Sequence, residues 1–148
     1  MATCNPTVAD VGALLRARTK TSAGDYLGTF TALTKPTDTE VQAIILQAVS
    51  RIVGKIGDPV PVVSGFDASD IEGKAKFCAI LLSAMLVELS YFPEEVRQEQ
   101  SAYKEYKLLF DEAWAEFLGL IPGAVLEEGV VIPGNADWYF EEVPFLWW

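Results

Sequence analysis

The chain has no histidine and only two cysteines among its 148 residues. It therefore lacks the side chain that most often serves as a general base near neutral pH and as a metal ligand. Ser-His-Asp and Cys-His arrangements for nucleophilic catalysis are excluded. Cys4 lies in an N-terminal stretch that we expect to fray, whereas Cys78 lies in an apolar run that favours a core position. The sequence thus gives little support for a disulfide and predicts a reducing, cytosolic environment.

Basic residues are also scarce, with 11 Lys and Arg against 21 Asp and Glu and a formal net charge of −10. Such a charge repels phosphate backbones and anionic membrane surfaces, which argues against a reader of duplex DNA. The longest apolar run, Phe77 to Val87, is too short to span a bilayer and contains Ser83. No N-terminal secretion signal is recognisable. We expect neither standard secretion nor membrane insertion.

The charges are distributed unevenly along the chain. Residues 1–36 hold four basic and two acidic residues, a net charge of +2, whereas residues 119–148 hold five acidic residues and no basic one, a net charge of −5. Opposite charges at the two ends favour a head-to-tail contact between copies, and such contacts form rings where the rotation closes. The alternative is that both sets of charges are simply solvated.

Hydrophobic spacing and capping residues predict four helices. The predicted helices run from Val8 to about Arg16, from the Thr37 and Glu40 capping box to Gly57, from near Asp67 or Ser69 to about Ser90, and from Pro93 to about Leu118. The third is apolar on nearly every side from Phe77 to Leu89 and should therefore be the most buried. We expect its residues Leu81, Leu82, Met85 and Leu89 to pack against Ile45, Ile52 and Phe110.

The predicted fold class is mainly α, a small four-helix bundle with a long loop after the first helix and an extended C-terminal arm. Residues 1–118 form the helical domain, with the loop at about 17–36, and residues 119–148 form the arm. Glycine, proline, threonine and serine disfavour a helix in the loop, although "YLGTFTAL" could be an extended strand. No internal repeat is recognisable.

Two other classes of function have some support in the composition. An acidic DNA mimic that inhibits a nuclease or a DNA-binding protein would need only the negative charge and a helical fold, and it would be a monomer or a dimer. A metal- or carboxylate-dependent enzyme could use the acids of the arm, which are Glu127, Glu128, Asp137, Glu141 and Glu142. These acids show no EF-hand spacing and no partner base, so we predict no catalytic, cofactor or metal site.

Several segments together resemble a known family. "VADVGALLRARTK", then "GTFTALTKPT", then "TEVQAIILQAVSRIVGKIG", followed by an apolar helix and a tyrosine-rich charged helix, are similar to the head-to-tail connector (adaptor, head-completion) proteins of long-tailed bacteriophages, especially those of actinobacteria. The resemblance covers about residues 7–118. Its specific part is Leu15 to Thr19, Gly28 to Phe30 and Thr34 to Thr37. Family members commonly have Arg at Lys35, so this chain keeps the charge and loses a bidentate donor.

The resemblance implies a non-enzymatic virion protein that is assembled in the host cytoplasm. Such subunits form a ring, typically of twelve copies, at the head-tail interface. The ring lies beneath the portal, bridges it to the stopper or tail-completion protein, and continues the DNA channel. An acidic wall would let DNA pass the lumen without sequence-specific binding, because it makes no contacts that release counterions. No cofactor and no membrane are implied.

Two sets of residues are candidates for intermolecular contact. The basic set is Arg16, Arg18, Lys20 and Lys35. A basic ring facing the lumen would hold DNA phosphates, so we expect this set to face neighbouring subunits or the portal. Reversing the charge of Arg16 and Arg18 should then block ring assembly and leave the fold intact.

The aromatic set lies in the last twelve residues, "DWYFEEVPFLWW", and consists of Trp138, Tyr139, Phe140, Phe145, Trp147 and Trp148. So many exposed rings would promote aggregation, so they should be covered. We expect them to dock on another chain, preferably the portal. A neighbouring subunit and the chain's own bundle are the alternatives.

Overall fold

A computed structural model of the chain describes residues 4–57, 63 and 65–121. Its helices are α1 (Val8–Leu14), α2 (Asp38–Ile56), α3 (Ala68–Tyr91), α4 (Pro93–Arg97) and α5 (Tyr103–Leu120), with one 3-10 turn at Arg16–Arg18. The described part is mainly helical and contains no strand, which confirms the predicted mainly α class and the small helical bundle. The predicted arm lies outside the described residues from position 122 onward, and its first two residues belong to α5.

Two helices begin with reciprocal capping contacts that the sequence predicts. The Thr7 hydroxyl accepts a hydrogen bond from the Asp10 N–H at 3.2 Å, and the Asp10 carboxylate accepts one from the Thr7 N–H at 2.8 Å. Thr37 and Glu40 make the same pair of contacts at 3.3 and 3.0 Å. These contacts satisfy backbone donors that have no partner within the helix, and they fix where α1 and α2 start.

Helix α3 is the centre of the core and packs against α2, α5 and α1. The buried residues that the sequence predicts are confirmed for Leu81, Leu82, Met85, Ile45, Ile52 and Phe110, all of which are at most 2% exposed. Leu89, in the last turn of α3, is only partly buried. The extended apolar surface of α3 thus follows from its central position, since helices cover several of its sides.

The prediction of one helix from Pro93 to Leu118 is wrong. Helix α4 ends at Arg97, and the backbone then turns at Glu99, whose φ is +58°. Helix α5 starts at Tyr103, whose N–H donates to the Ser101 hydroxyl at 3.1 Å. A left-handed residue cannot continue an α-helix, so the break divides the predicted fourth helix into two.

Cys4 is also placed differently from the prediction, because it is fully buried in the same hydrophobic cluster as Cys78. Neither cysteine forms a disulfide within the described part of the chain. Burial raises the pKa of the Cys78 thiol to about 12, and the nearby Cys4 adds to that increase. A thiol with such a pKa is protonated at neutral pH, in keeping with the predicted core position of Cys78.

Candidate interaction surface

The end of α1 is held in place by α5 and continues into a turn that carries two arginines. The Tyr106 hydroxyl donates to the Leu14 carbonyl at 2.9 Å. The 3-10 turn Arg16–Arg18 follows, and the Thr19 hydroxyl donates to the Arg16 carbonyl at 2.8 Å. The same hydroxyl accepts from the Gly28 N–H at 3.0 Å. Because Thr19 is fully buried, these bonds join the turn to the middle of the following loop.

A second set of contacts closes that loop near its end. Lys20 and Thr21 form isolated antiparallel bridges with Tyr26 and Thr34, respectively. The Thr34 hydroxyl accepts from the Thr31 N–H at 2.9 Å and donates to the Pro36 carbonyl at 2.7 Å. The three segments that carry the connector resemblance are therefore brought together in space. We call residues 16–37 the basic loop.

The basic loop packs tightly on α1. Phe30 is 3% exposed and belongs to the hydrophobic core. A Cβ atom at Gly12 would lie 3.3 Å from the Thr29 Cα, so only glycine fits this contact without a shift of the loop. The loop thus has a fixed place on the helical core, which sequence periodicity could not show because the contacts are made by irregular backbone.

Arg18 is used within the subunit. Its guanidinium makes two hydrogen bonds to the Glu88 carboxylate, at 3.1 and 3.0 Å, and lies 3.9 Å from the centre of the Phe92 ring. The Glu88 side chain is 3% exposed and the Arg18 side chain 19%. Arg18 therefore has a partner within its own subunit, and its contact with another chain stays a prediction. Reversing its charge would place two carboxylates in one buried site, so we expect the Arg16 and Arg18 reversal to destabilise the fold, contrary to the prediction from the sequence.

Sequence reasoning missed the partner of Arg18, although a signal existed. Glu88 is the one charged residue in the apolar stretch from Phe77 to Leu89. A charge on a buried helix face needs a partner, because an unpaired charge in the core is strongly unfavourable. The sequence does not show which basic residue that partner is.

The other basic candidates, Arg16, Lys20 and Lys35, are exposed. No carboxylate of the described residues forms an ion pair with any of them. The Lys20 ammonium lies 5.7 Å from the centre of the Tyr26 ring. Apolar side chains are exposed on the same loop, with Tyr26 at 62%, Leu27 at 44% and Leu33 at 72%. Positive charge and apolar area therefore occur side by side.

A groove of about 330 Å³ runs across this surface. Its lining includes Arg18, Lys20, Thr21, Tyr26, Lys35 and Phe92. It combines three cationic side chains, two aromatic rings and the hydroxyls of Thr21 and Ser22. Such a groove suits an acidic ligand that also has apolar or aromatic groups, since both kinds of contact are available within one volume.

The aromatic candidates, Trp138, Tyr139, Phe140, Phe145, Trp147 and Trp148, lie outside the described residues. The carboxylate candidates, Glu127, Glu128, Asp137, Glu141 and Glu142, lie outside them as well. Within residues 4–57, 63 and 65–121, no cluster of three or more cysteine, aspartate or glutamate side chains could hold a metal ion. None of the helices in this part of the chain is long and apolar enough to cross a membrane.

Two acidic side chains near the loop serve as helix caps. The pKa of Asp10 is lowered, chiefly by its hydrogen bond from the Thr7 N–H and also by Lys76. The pKa of Glu40 is lowered chiefly by its hydrogen bond from the Thr37 N–H. The Tyr91 hydroxyl donates to Glu40 at 2.9 Å, and the pKa of this tyrosine is raised by burial and by that contact. These shifts follow from structural hydrogen bonds.

No family model matches the chain, and neither the curated proteins nor the solved structures contain a match to it. The relation to phage connectors therefore stays a prediction from the sequence segments.

Proposed function

We propose that the chain is a non-enzymatic structural subunit of the ring that joins the portal to the stopper or tail of a long-tailed phage. The observation that best supports this function is the basic loop. Its three resemblance segments converge through hydrogen bonds between Thr19 and Gly28 and through the bridge between Thr21 and Thr34. They form one surface on a helical core, as a subunit with a dedicated contact region requires.

The chemistry of this surface is suited to contact with other copies. Tyr26 and Leu33 expose apolar area that a partner would remove from water. Arg16, Lys20 and Lys35 are exposed on a chain whose formal net charge is −10, so a neighbouring copy offers mainly acidic surface. Charge complementarity of this kind orients partners and fixes their register more than it adds affinity.

In this proposal, twelve copies form a homo-oligomeric ring at the head-tail interface. The portal contacts one side of the ring and the stopper or tail-completion protein the other. Genomic DNA passes through the lumen without sequence-specific binding, because an acidic wall gives phosphates no cation to pair with. A twelve-membered ring of a 16.2 kDa chain has a mass of about 190 kDa, the product expected for a closed cyclic oligomer.

Immunogold labelling tests the proposal directly. Antibodies against the full chain would be applied to particles released by the genome that encodes it, and the particles would be viewed by electron microscopy. Gold should lie at the neck between head and tail, and image averages of that neck should show a ring with twelve-fold symmetry. Particles that carry no label, in lysates where the chain is abundant, would contradict a virion function and favour the acidic mimic.

A further inference from the structure

The groove of the basic loop has the chemistry of a binding site for an acidic, aromatic peptide. Lys20 and Lys35 contribute exposed ammonium groups, and Tyr26 contributes an exposed ring. Arg18 also lines the groove but is already paired with Glu88, so the charge available to a ligand comes from the lysines and the adjacent Arg16. A ligand therefore needs carboxylates beside its apolar groups.

The chain itself contains a segment of this composition. Residues 137–148 have three carboxylates, Asp137, Glu141 and Glu142, among six aromatic residues. They contain no basic residue. Carboxylates match the lysines, and tryptophan and tyrosine rings are the groups that most often anchor interfaces. The segment and the groove are thus complementary in charge and in apolar character.

The course of α5 determines where this segment starts. The first turns of α5 lie beside the end of α1, because the Tyr106 hydroxyl bonds to the Leu14 carbonyl. From Tyr106, α5 continues for 14 residues, or about 21 Å, to Leu120, toward the start of α3, where Glu116 pairs with Lys74. Fifteen residues separate Ile121 from Asp137, and an extended chain of that length reaches at most about 50 Å. The described chain thus ends with Ile121 at the end of the bundle opposite to the groove, and the residues that follow are numerous enough to reach a second copy.

We propose that residues 137–148 of one copy bind the groove of the basic loop on a second copy. Each copy then has one donor segment and one acceptor groove at opposite ends, which is a heterologous contact that saturates every site only in a closed ring. The inference deepens the proposed function, on which it rests in taking the second copy to be a ring neighbour. It also favours a neighbouring subunit over the portal as the partner of the aromatic segment.

Photocross-linking of the full chain tests the contact. A Tyr26→p-benzoylphenylalanine variant, prepared with ¹⁵N, would be mixed with an equal amount of the unlabelled wild-type chain at high concentration and irradiated. Mass spectrometry would then identify the cross-linked peptides and whether they come from one chain or two. The matched control is Leu108→p-benzoylphenylalanine, since Leu108 on α5 is 64% exposed and Tyr26 is 62% exposed.

The expected product joins position 26 of a labelled chain to residues 137–148 of an unlabelled one, with no such product from position 108. Lys20→Glu with Lys35→Glu should lower the yield about tenfold, equivalent to about 1.4 kcal/mol of contact energy. An added Glu141→Lys with Glu142→Lys on the partner chain should restore it. Cross-links within one chain only would overturn the second copy as occupant. Absence of any cross-link to residues 137–148 would overturn the site itself.

Failure of this inference can be told apart from failure of the proposed function. If immunogold images show label at the neck but no cross-link forms, the connector function is supported and the groove contact is contradicted. The cross-link without label at the neck would keep the contact between copies and reject the connector function.

Discussion

Arg18 and Glu88 lie 70 residues apart in the sequence and form the ion pair that ties the basic loop to α3. A buried pair contributes little relative to apolar residues of the same size, because desolvation offsets the Coulomb attraction. Removing one partner is different, since the remaining charge is then left in the core. The main effect of the pair is thus to fix the position of the basic loop on α3.

We predict that Arg18→Met lowers the free energy of unfolding by about 3 kcal/mol, as expected when Glu88 loses its partner in the core. The double variant Arg18→Met with Glu88→Leu should recover most of that loss. Urea unfolding followed by circular dichroism measures both. Arg97→Met is the control, because Arg97 pairs with Glu94 on the surface. This substitution should change the free energy of unfolding by less than about 1 kcal/mol. Equal losses in the single and double variants would contradict the role of the pair.

The two capping carboxylates predict a dependence of stability on pH. Folding lowers the pKa of Asp10 and Glu40, so each stabilises the fold fully above its unfolded pKa, near 4, and loses that contribution as pH falls through the folded pKa. The free energy of unfolding should therefore decrease between about pH 5 and pH 3. Asp10→Asn with Glu40→Gln should flatten that decrease in urea titrations. Glu112→Gln, at an exposed acid within α5 that caps no helix, is the matched control variant.

The helices show which boundaries can be predicted from sequence patterns and which cannot. The caps at Thr7 and Thr37 predict two helix starts correctly, because a capping box is local and its residues are three apart. The break after α4 could not be predicted, because Glu99 takes a left-handed conformation that glycine or asparagine would normally occupy. Ser101, which accepts from the start of α5, was the only local signal.

The basic loop shows which contacts could not be predicted from the sequence. The basic residues of the loop can be recognised in the sequence, but their partners cannot. Whether Arg16 or Arg18 forms the buried ion pair depends on the position of Glu88 in α3. Its hydrogen bonds join residues such as Thr19 and Gly28, which have no periodic relation in the sequence. Tertiary contacts of irregular backbone are set by the packed core, and hydrophobic spacing does not contain them.

Leu82 tests the central position of α3. This side chain is 1% exposed, and Leu82→Ala should cost about 2 to 5 kcal/mol in the free energy of unfolding because it leaves a cavity. Leu108→Ala on α5 is the matched control, with 64% exposure and an expected change within about 0.5 kcal/mol. Hydrogen exchange offers a second measurement, in which residues 77–89 should be among the most protected. Rapid exchange across these residues would contradict the bundle.

In the proposed ring, the charge distribution determines which faces of neighbouring copies meet. The chain has a net charge of −10, yet the basic loop exposes three cations, Arg16, Lys20 and Lys35, that form no direct ion pair with a carboxylate of the described residues. Residues 119–148 contain five acids and no base. Copies that repelled one another everywhere would not assemble, so the location of the few cations decides which faces can meet.

Deleting residues 137–148 separates assembly from folding. In the proposed contact, residues 137–148 dock on a second copy and not on the chain's own core, whose described members include Val11, Ile45, Leu82 and Phe117. The truncated chain should therefore keep its helical circular dichroism and its cooperative unfolding. It should no longer form rings of about 190 kDa, nor join DNA-filled heads, because the acceptor groove has lost its ligand.

The matched variant for this deletion keeps the length and the rings of the segment and changes only its charge. Asp137→Asn, Glu141→Gln and Glu142→Gln together remove the carboxylates that we place opposite Lys20 and Lys35. Sedimentation should show weaker assembly than in the wild-type chain and stronger assembly than in the deletion, because the aromatic anchors remain. Unfolding of the truncated chain would instead mean that the segment stabilises its own bundle, and unchanged rings would mean that the copies meet through another surface.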